Sequence, residues 1–151
     1  MRIAKFRYET ALPILAGVLL LATCSNPQPP VGRWQGLYED SGVMIVARLE
    51  IGADGQVRVS APNAIADVGA MSQRERADLR ARLEGGLAES WPHVPPLPLE
   101  FDGKAFHKPG GVAPQLEWDG KAKHMTLVFY SGSRPSVRVP LKAVSAFAEA
   151  D

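Results

Sequence analysis

From Arg33 onward the chain is written in short runs of period two, and this pattern limits the fold more than any other feature. Alternating apolar and polar residues place successive side chains on opposite faces of an extended strand, so each run buries one face and solvates the other. Arg33 to Glu39 sets Trp34, Gly36 and Tyr38 on one side. Val43 to Ile51 sets Val43, Ile45, Ala47, Leu49 and Ile51 on one stripe, with Arg48 and Glu50 pointing away. Gly52-Ala53-Asp54-Gly55 supplies a tight turn, with glycine available for positive φ, into Gln56 to Ser60, where Val57 and Val59 face inward. These runs predict an antiparallel meander.

The pattern breaks after Ala61, and Ser72-Gln73-Arg74-Glu75 has the spacing of a capping box that opens a helix. Leu79, Leu83, Leu87 and Trp91 follow at four-residue spacing along one stripe. Gly85-Gly86 weakens the last turns, and the Pro-rich passage 92–98 ends the helix. The remaining surface, with Arg74, Arg76, Arg80, Arg82, Glu84 and Glu89, reads as a solvated face. Its arginines suit anionic headgroups, but the acidic residues of the same segment oppose that role.

Strand signals then return. Phe101-Asp102-Gly103-Lys104-Ala105-Phe106-His107 lines up with Trp118-Asp119-Gly120-Lys121-Ala122-Lys123-His124, and Asp-Gly is a favoured pair for a two-residue type I′ hairpin. That register sets Phe101 opposite Lys104, Leu99 opposite Phe106, and Trp118 opposite Lys121. It gathers Glu100, Ala105 and His107 on one face, and Glu117, Ala122 and His124 on the equivalent face of the second hairpin. One reading is a pair of Glu and His sites able to take a metal or to respond to pH near the ordinary histidine value of about 6.5. The plainer reading is two exposed hairpin faces and a common turn used twice, since His93 lies in the Pro-rich passage with no ligand spacing to either.

Met125 to Tyr130 reads as a strand with Met125, Leu127 and Phe129 inward. The last strand runs near Ser136 to Val144, where Val137, Val139, Leu141 and Ala143 alternate with Arg138, Pro140 and Lys142; Pro140 argues for an edge strand or a bulge. The tail from Ser145 is short, with a helical turn as one option. The expected fold class is mainly β with one inserted helix: a curved antiparallel sheet or small barrel of about 6–8 strands, capped by the helix near residues 72–91.

The first 32 residues have a different build. Arg2, Lys5 and Arg7 precede an apolar stretch from Ala11 to Ala22, as in a signal peptide. Glu9 and Cys24 bracket too few uncharged residues for a spanning helix, which needs about 20. Cys24, the sole cysteine, closes the tetrad Leu21-Ala22-Thr23-Cys24. This tetrad resembles the lipobox of bacterial lipoproteins, with Thr23 where that family usually has glycine, alanine or serine. The resemblance implies diacylation of the Cys24 thiol and removal of residues 1–23. Ser25, rather than Asp, after that cysteine implies sorting to the outer membrane, by similarity to Gram-negative lipoproteins. The alternative is a plain secretory signal followed by a free cysteine.

The domain plan is therefore 1–23 signal peptide, 24–32 lipidated cysteine and Pro-rich tether, and 33–151 a single β-rich domain. Prolines in Ser25 to Gly32 favour an extended tether reaching roughly 25 Å. Losing residues 1–23 leaves 128 of 151 residues, enough for one core. Arg2, Lys5, Arg7 and Glu9 leave with the signal, so 17 basic and 16 acidic residues become 14 and 15, a balance that gives no pull toward nucleic acid. Gly32-Arg33-Trp34 is similar to the Gly-x-Trp motif of lipocalins, which implies packing of Gly32 and Trp34 at the closed end of a barrel. The lipocalin helix follows its barrel, however, whereas this helix interrupts the strands. A strand-start tryptophan in an unrelated β domain is the plainer account of the motif.

No reaction is written in the motifs. Ser131 and Ser133 lack a G-x-S-x-G context, H-E-x-x-H does not occur, and Pro109-Gly110-Gly111 lacks the Lys-Ser or Lys-Thr that a phosphate loop needs. Asn63, Asp67, Glu100 and Glu117 are the polar residues any β domain supplies. No catalytic residue, metal ligand or cofactor is assigned. The leading expectation is a noncatalytic lipoprotein of the bacterial envelope, anchored to a membrane by its acyl chains and facing the periplasm. Its β domain would bind or scaffold another envelope component. A second expectation is a lipocalin-like binder of a lipid or other apolar molecule, held between the sheet and the helix stripe by Trp34, Tyr38, Phe101, Phe106, Trp118 and Phe129. These aromatics also fit a plain core. A third, a histidine-based metal or pH-responsive module, requires His107 and His124 to approach each other.

Overall fold

The computed structural model of the protein describes residues 26–148. The signal-like segment, Cys24 and Ser25 lie outside the described residues. β1 (Gly32–Asp40) and β2 (Val43–Ile51) pair along their whole length, from Gly32 opposite Ile51 to Asp40 opposite Val43. β3 (Val57–Ser60) returns along β2, and β4 (Asn63–Ile65) continues the same line. Between them Pro62 has no N–H to offer, and only its carbonyl is used, accepting from the Val46 N–H at 3.1 Å. This explains why the strand pattern is illegible after Ala61 although the chain keeps following β2.

The helix α1 (Gln73–Ser90) starts where the capping box predicts: the Glu75 N–H donates to the Ser72 hydroxyl at 3.3 Å, and the Ser72 N–H to the Glu75 carboxylate at 2.7 Å. It runs through Gly85-Gly86 and passes into one 3-10 turn, Trp91–His93, where Pro92 ends it. Leu79, Leu87 and Trp91 of the stripe are buried and Leu83 partly so.

Five further strands follow: β5 (Glu100–Phe101), β6 (Ala105–His107), β7 (Pro114–Asp119), β8 (His124–Ser131) and β9 (Arg134–Val144). The order across the sheet is β3-β2-β1-β9-β8-β7-β6-β5, so the last strand docks on the first and the antiparallel sheet curls into a half-barrel of eight strands. One hydrogen bond joins the two free edges, from the Leu97 N–H to the Val57 carbonyl at 2.7 Å. The inner face gathers Trp34, Ile45, Leu49, Ile51, Val57, Phe106, Leu116, Met125, Leu127, Val139 and Leu141 into the main core. The alternation read from the sequence assigns these faces correctly. α1 lies on the other face, where Leu79, Leu87 and Trp91 meet Met44, Val46 and Leu37. The helix thus covers the outer side of β1 and β2.

Two local expectations are corrected. β9 is not the edge strand that Pro140 suggests, because it lies between β8 and β1, and the register shift on the β8 pair falls at Phe129 and Tyr130 rather than at Pro140. Pairing of β9 with β1 covers only Lys142 to Val144 against Arg33 to Gln35, and it ends just before the proline that has no hydrogen to give. Gly36 allows the approach at that point, since a Cβ there would sit 2.2 Å from the Pro140 carbonyl oxygen. Among the described residues of the tail, 145–148, there is no helix. Phe147 instead folds back over the outer face, with its ring edge-on to Trp91 at 5.0 Å between centroids.

Gly36→Ala is expected to lower stability by about 3 kcal/mol, since backbone rather than a flexible side chain occupies the space. Gly86→Ala, whose Cβ meets nothing within 4 Å, is expected to raise it by about 1 kcal/mol. Urea unfolding followed by tryptophan fluorescence measures both.

Candidate functional site

All six aromatics singled out from the sequence belong to the inner cluster, Trp34 and Phe106 fully buried and Tyr38, Phe101, Trp118 and Phe129 packed against them. Trp34 meets Trp118 edge-to-face at 6.1 Å, and Phe101 meets Phe106 at 4.7 Å across their strand pair. They point away from α1, so the expected lining of a space between sheet and helix is corrected: strand parity sends these side chains to the opposite face. Trp34 also packs its ring over Gly32, and its indole Nε1 is buried without a partner among the described residues. In the seam between the sheet edges lies a small apolar cavity of about 220 Å³, walled mainly by Val59, Leu97, Pro98, Leu99, Leu116 and Leu127. None of the six aromatics lines it.

The Asp-Gly motifs do not form two-residue hairpins. In the first, Phe101 stands opposite Phe106 and Glu100 opposite His107; in the second, Asp119 stands opposite His124. Each aspartate accepts two backbone N–H groups of its own loop. Asp102 takes those of Lys104 and Ala105 at 2.8 Å, and Asp119 those of Lys121 at 2.9 Å and Ala122 at 3.1 Å. This local capture widens each turn by two residues and competes with the type I′ geometry, which requires positive φ at both central residues. Here positive φ falls on Gly103 in the first loop and Lys123 in the second. Glu100 does share a face with His107, as direct cross-strand partners, but the side chains of these sites find other partners. His107 Nε2 lies 2.9 Å from the Asp102 carboxylate, and Glu117 pairs with Arg138. His107 stands opposite Pro114 and His124 opposite Asp119, five residues apart on β7 or about 17 Å. The condition for a joint histidine site is not met, and the described residues hold no group of three or more metal-ligating side chains.

On the outer face two arginines, Arg58 and Arg48, are drawn into the packing of the helix end and the tail. Arg58 donates to the Val94 carbonyl at 2.9 Å and to the Trp91 carbonyl, lies 4.8 Å from the Trp91 ring centre, and pairs with Glu50 at 3.2 Å. It pins the end of α1 to β3. Arg48, only 7% exposed, donates to the Ala148 carbonyl at 2.8 Å and lies 5.1 Å from the Phe147 ring centre. Burial pulls its pKa below the ordinary arginine value, partly offset by the field of Glu84. The signal for this burial was the run Val43-Met44-Ile45-Val46-Ala47, which is apolar at every position and so marks a strand covered on both faces.

The segment that precedes β1 lies against the domain. Pro27 Cβ lies 3.3 Å from where a Gly103 side chain would begin, and Pro29 Cγ 3.8 Å from the same point on Gly55. The registers place the β2–β3, β5–β6 and β7–β8 turns at one end of the half-barrel, together with the start of β1. Lys104, Lys121 and Lys123 are exposed on those turns. No protein-family model, no curated protein and no solved structure matches this chain.

Backbone N–H groups of Lys104 and Ala105, then His107, hold the Asp102 carboxyl down at about 2, against an ordinary value of 3.8. A depressed carboxylate stabilises the fold fully above its unfolded value and loses that contribution as pH falls toward the folded one. Asp102→Ala is therefore expected to lower the urea midpoint at pH 6, with the difference from the parent shrinking between pH 3.8 and about 2 and vanishing below.

Proposed function

We propose that the protein is a lipid-anchored, noncatalytic binding domain of the bacterial envelope, held at the outer membrane and facing the periplasm. The observation that carries this reading is the segment before β1 lying against the domain. If Cys24 bears the acyl chains, only Ser25 and Asn26 separate it from Pro27, three steps or about 9 Å of extended chain instead of the roughly 25 Å that a free tether allows. The end bearing the Gly55 and Gly103 turns is then held against the bilayer, with Lys104, Lys121 and Lys123 suited to anionic headgroups. Two or more acyl chains give the firm hold that one chain lacks. The partner would meet the remaining outer surface, since the aromatic inner face is occupied by its own packing. Among the described residues no helix is long and apolar enough to cross a membrane, so anchoring in this reading rests on Cys24.

After fractionation and a high-salt wash, the parent is expected in the membrane pellet and Cys24→Ser in the soluble fraction. Retention of the serine variant in the pellet would refute lipidation as the anchor.

The seam cavity favours a second reading, uptake of an apolar group. At about 220 Å³ it lies below the ~300 Å³ at which drug-sized pockets begin, so it suits one short alkyl segment. Gentle native mass spectrometry is expected to show an added mass that denaturation removes; a clean apo mass counts against this reading.

A further inference from the structure

A second, much larger cavity of about 970 Å³ lies between α1 and the outer face of the sheet. Its origin is legible in the residues around it. On the helix side Ala81, Gly85 and Ala88 offer almost no side chain. Opposite them the β1–β9 ladder stops beyond the Gln35–Lys142 pair, because Pro140 cannot continue it. A bare helix face above a broken ladder leaves the space open.

Arg48 stands on the wall of this cavity with the Ala148 carbonyl it holds. Arg48 as a residue is only 7% exposed, yet among the described residues no carboxylate lies within ion-pair distance of it. Glu84, whose field reaches it, is engaged by Arg80 at 2.7 Å. A neutral carbonyl and an aromatic face compensate a buried cation only in part. Lys142 and Arg80 bring the positive groups of the lining to three against the two carboxylates of Glu84 and Glu89, while Leu37, Val46 and Leu87 supply apolar wall. The inner core has no such charge.

We propose that this cavity binds a small organic anion, its carboxylate or phosphate group on Arg48 and Lys142 and its compact apolar body against Leu37, Val46 and the bare face of α1. The planar guanidinium fork accepts either head group through paired N–H donors, which a neutral polar group does not match. The site is separate from the seam cavity and independent of the anchor.

Titration calorimetry on the full chain in a non-ionic detergent, with benzoate, phenyl phosphate, benzyl alcohol and inorganic phosphate as probes, tests the proposal. Benzoate or phenyl phosphate is expected to bind at least tenfold more tightly than benzyl alcohol and than inorganic phosphate, and the stronger of the two identifies the head group. Arg48→Gln is expected to weaken that binding tenfold or more. Gly85→Leu fills the cavity from a position whose Cβ meets nothing within 4 Å, improves helix propensity, and leaves Arg48 in place; it is expected to abolish binding while circular dichroism stays unchanged. Equal binding of benzyl alcohol, or full binding by either variant, would overturn the proposal. Binding that appears only in a Glu149→Gln, Asp151→Asn double variant would also overturn it, by showing that the chain's own terminal carboxylates occupy the cavity.

Discussion

Ile45, Ala47, Leu49 and Ile51 point into the curled sheet while Met44, Val46 and Arg48 lie beneath the helix side, so β2 makes buried contacts in both directions. The two hydrophobic layers of the domain share this one strand. A half-barrel with its edges joined by a single backbone hydrogen bond has little to resist opening. Layering α1 on the outer side of β1 and β2 adds apolar burial where the curl begins, and Arg58 ties the end of that helix to β3 through backbone carbonyls, an aromatic face and Glu50. Buried on both faces, β2 tolerates no register slip, since a shift by one residue would exchange its two sets of partners.

The division between the faces also divides their chemistry. Aromatic and aliphatic side chains fill the inner face, and Trp34 Nε1 is its one buried side-chain donor without a partner among the described residues. The outer face carries the arginines. There the sheet is split beside Pro140, the helix is bare at Ala81, Gly85 and Ala88, and the tail crosses to set Phe147 beside Trp91 and Arg48. If ligand chemistry resides in this domain, charge and space coincide on the outer face, whereas the aromatic side is spent on stability. Pro27 and Pro29 lie at the opposite end of the half-barrel from the β1–β2 and β8–β9 turns.

Much of this fold was legible before any coordinates. Alternation marked the inner residues of β1, β2, β3, β8 and β9, and the Ser72–Glu75 box with the leucine spacing marked α1, because strand parity, helix periodicity and caps are local consequences of covalent geometry. β4 was hidden by Pro62. The hairpin registers were not legible, since an Asp-Gly pair permits both a type I′ turn and a wider loop in which the aspartate captures its own backbone. The candidate cavity was invisible too: nothing sets Ala81, Gly85 and Pro140 apart until the helix is brought face to face with the sheet.

The sequence by itself determined which side of each strand is apolar, where the single helix begins and ends, and that the domain is mainly β. Those properties depend on near neighbours in the chain. Only the tertiary structure decided that the last strand would dock on the first, that the helix would cover the outer face and leave the aromatics inside, and that His107 and His124 would stand apart. It also decided that Arg48 would be buried beside a cavity rather than solvated. These depend on which surfaces meet across many residues of chain, and strand pairing of that kind is set by the burial of the whole sheet rather than by any local run.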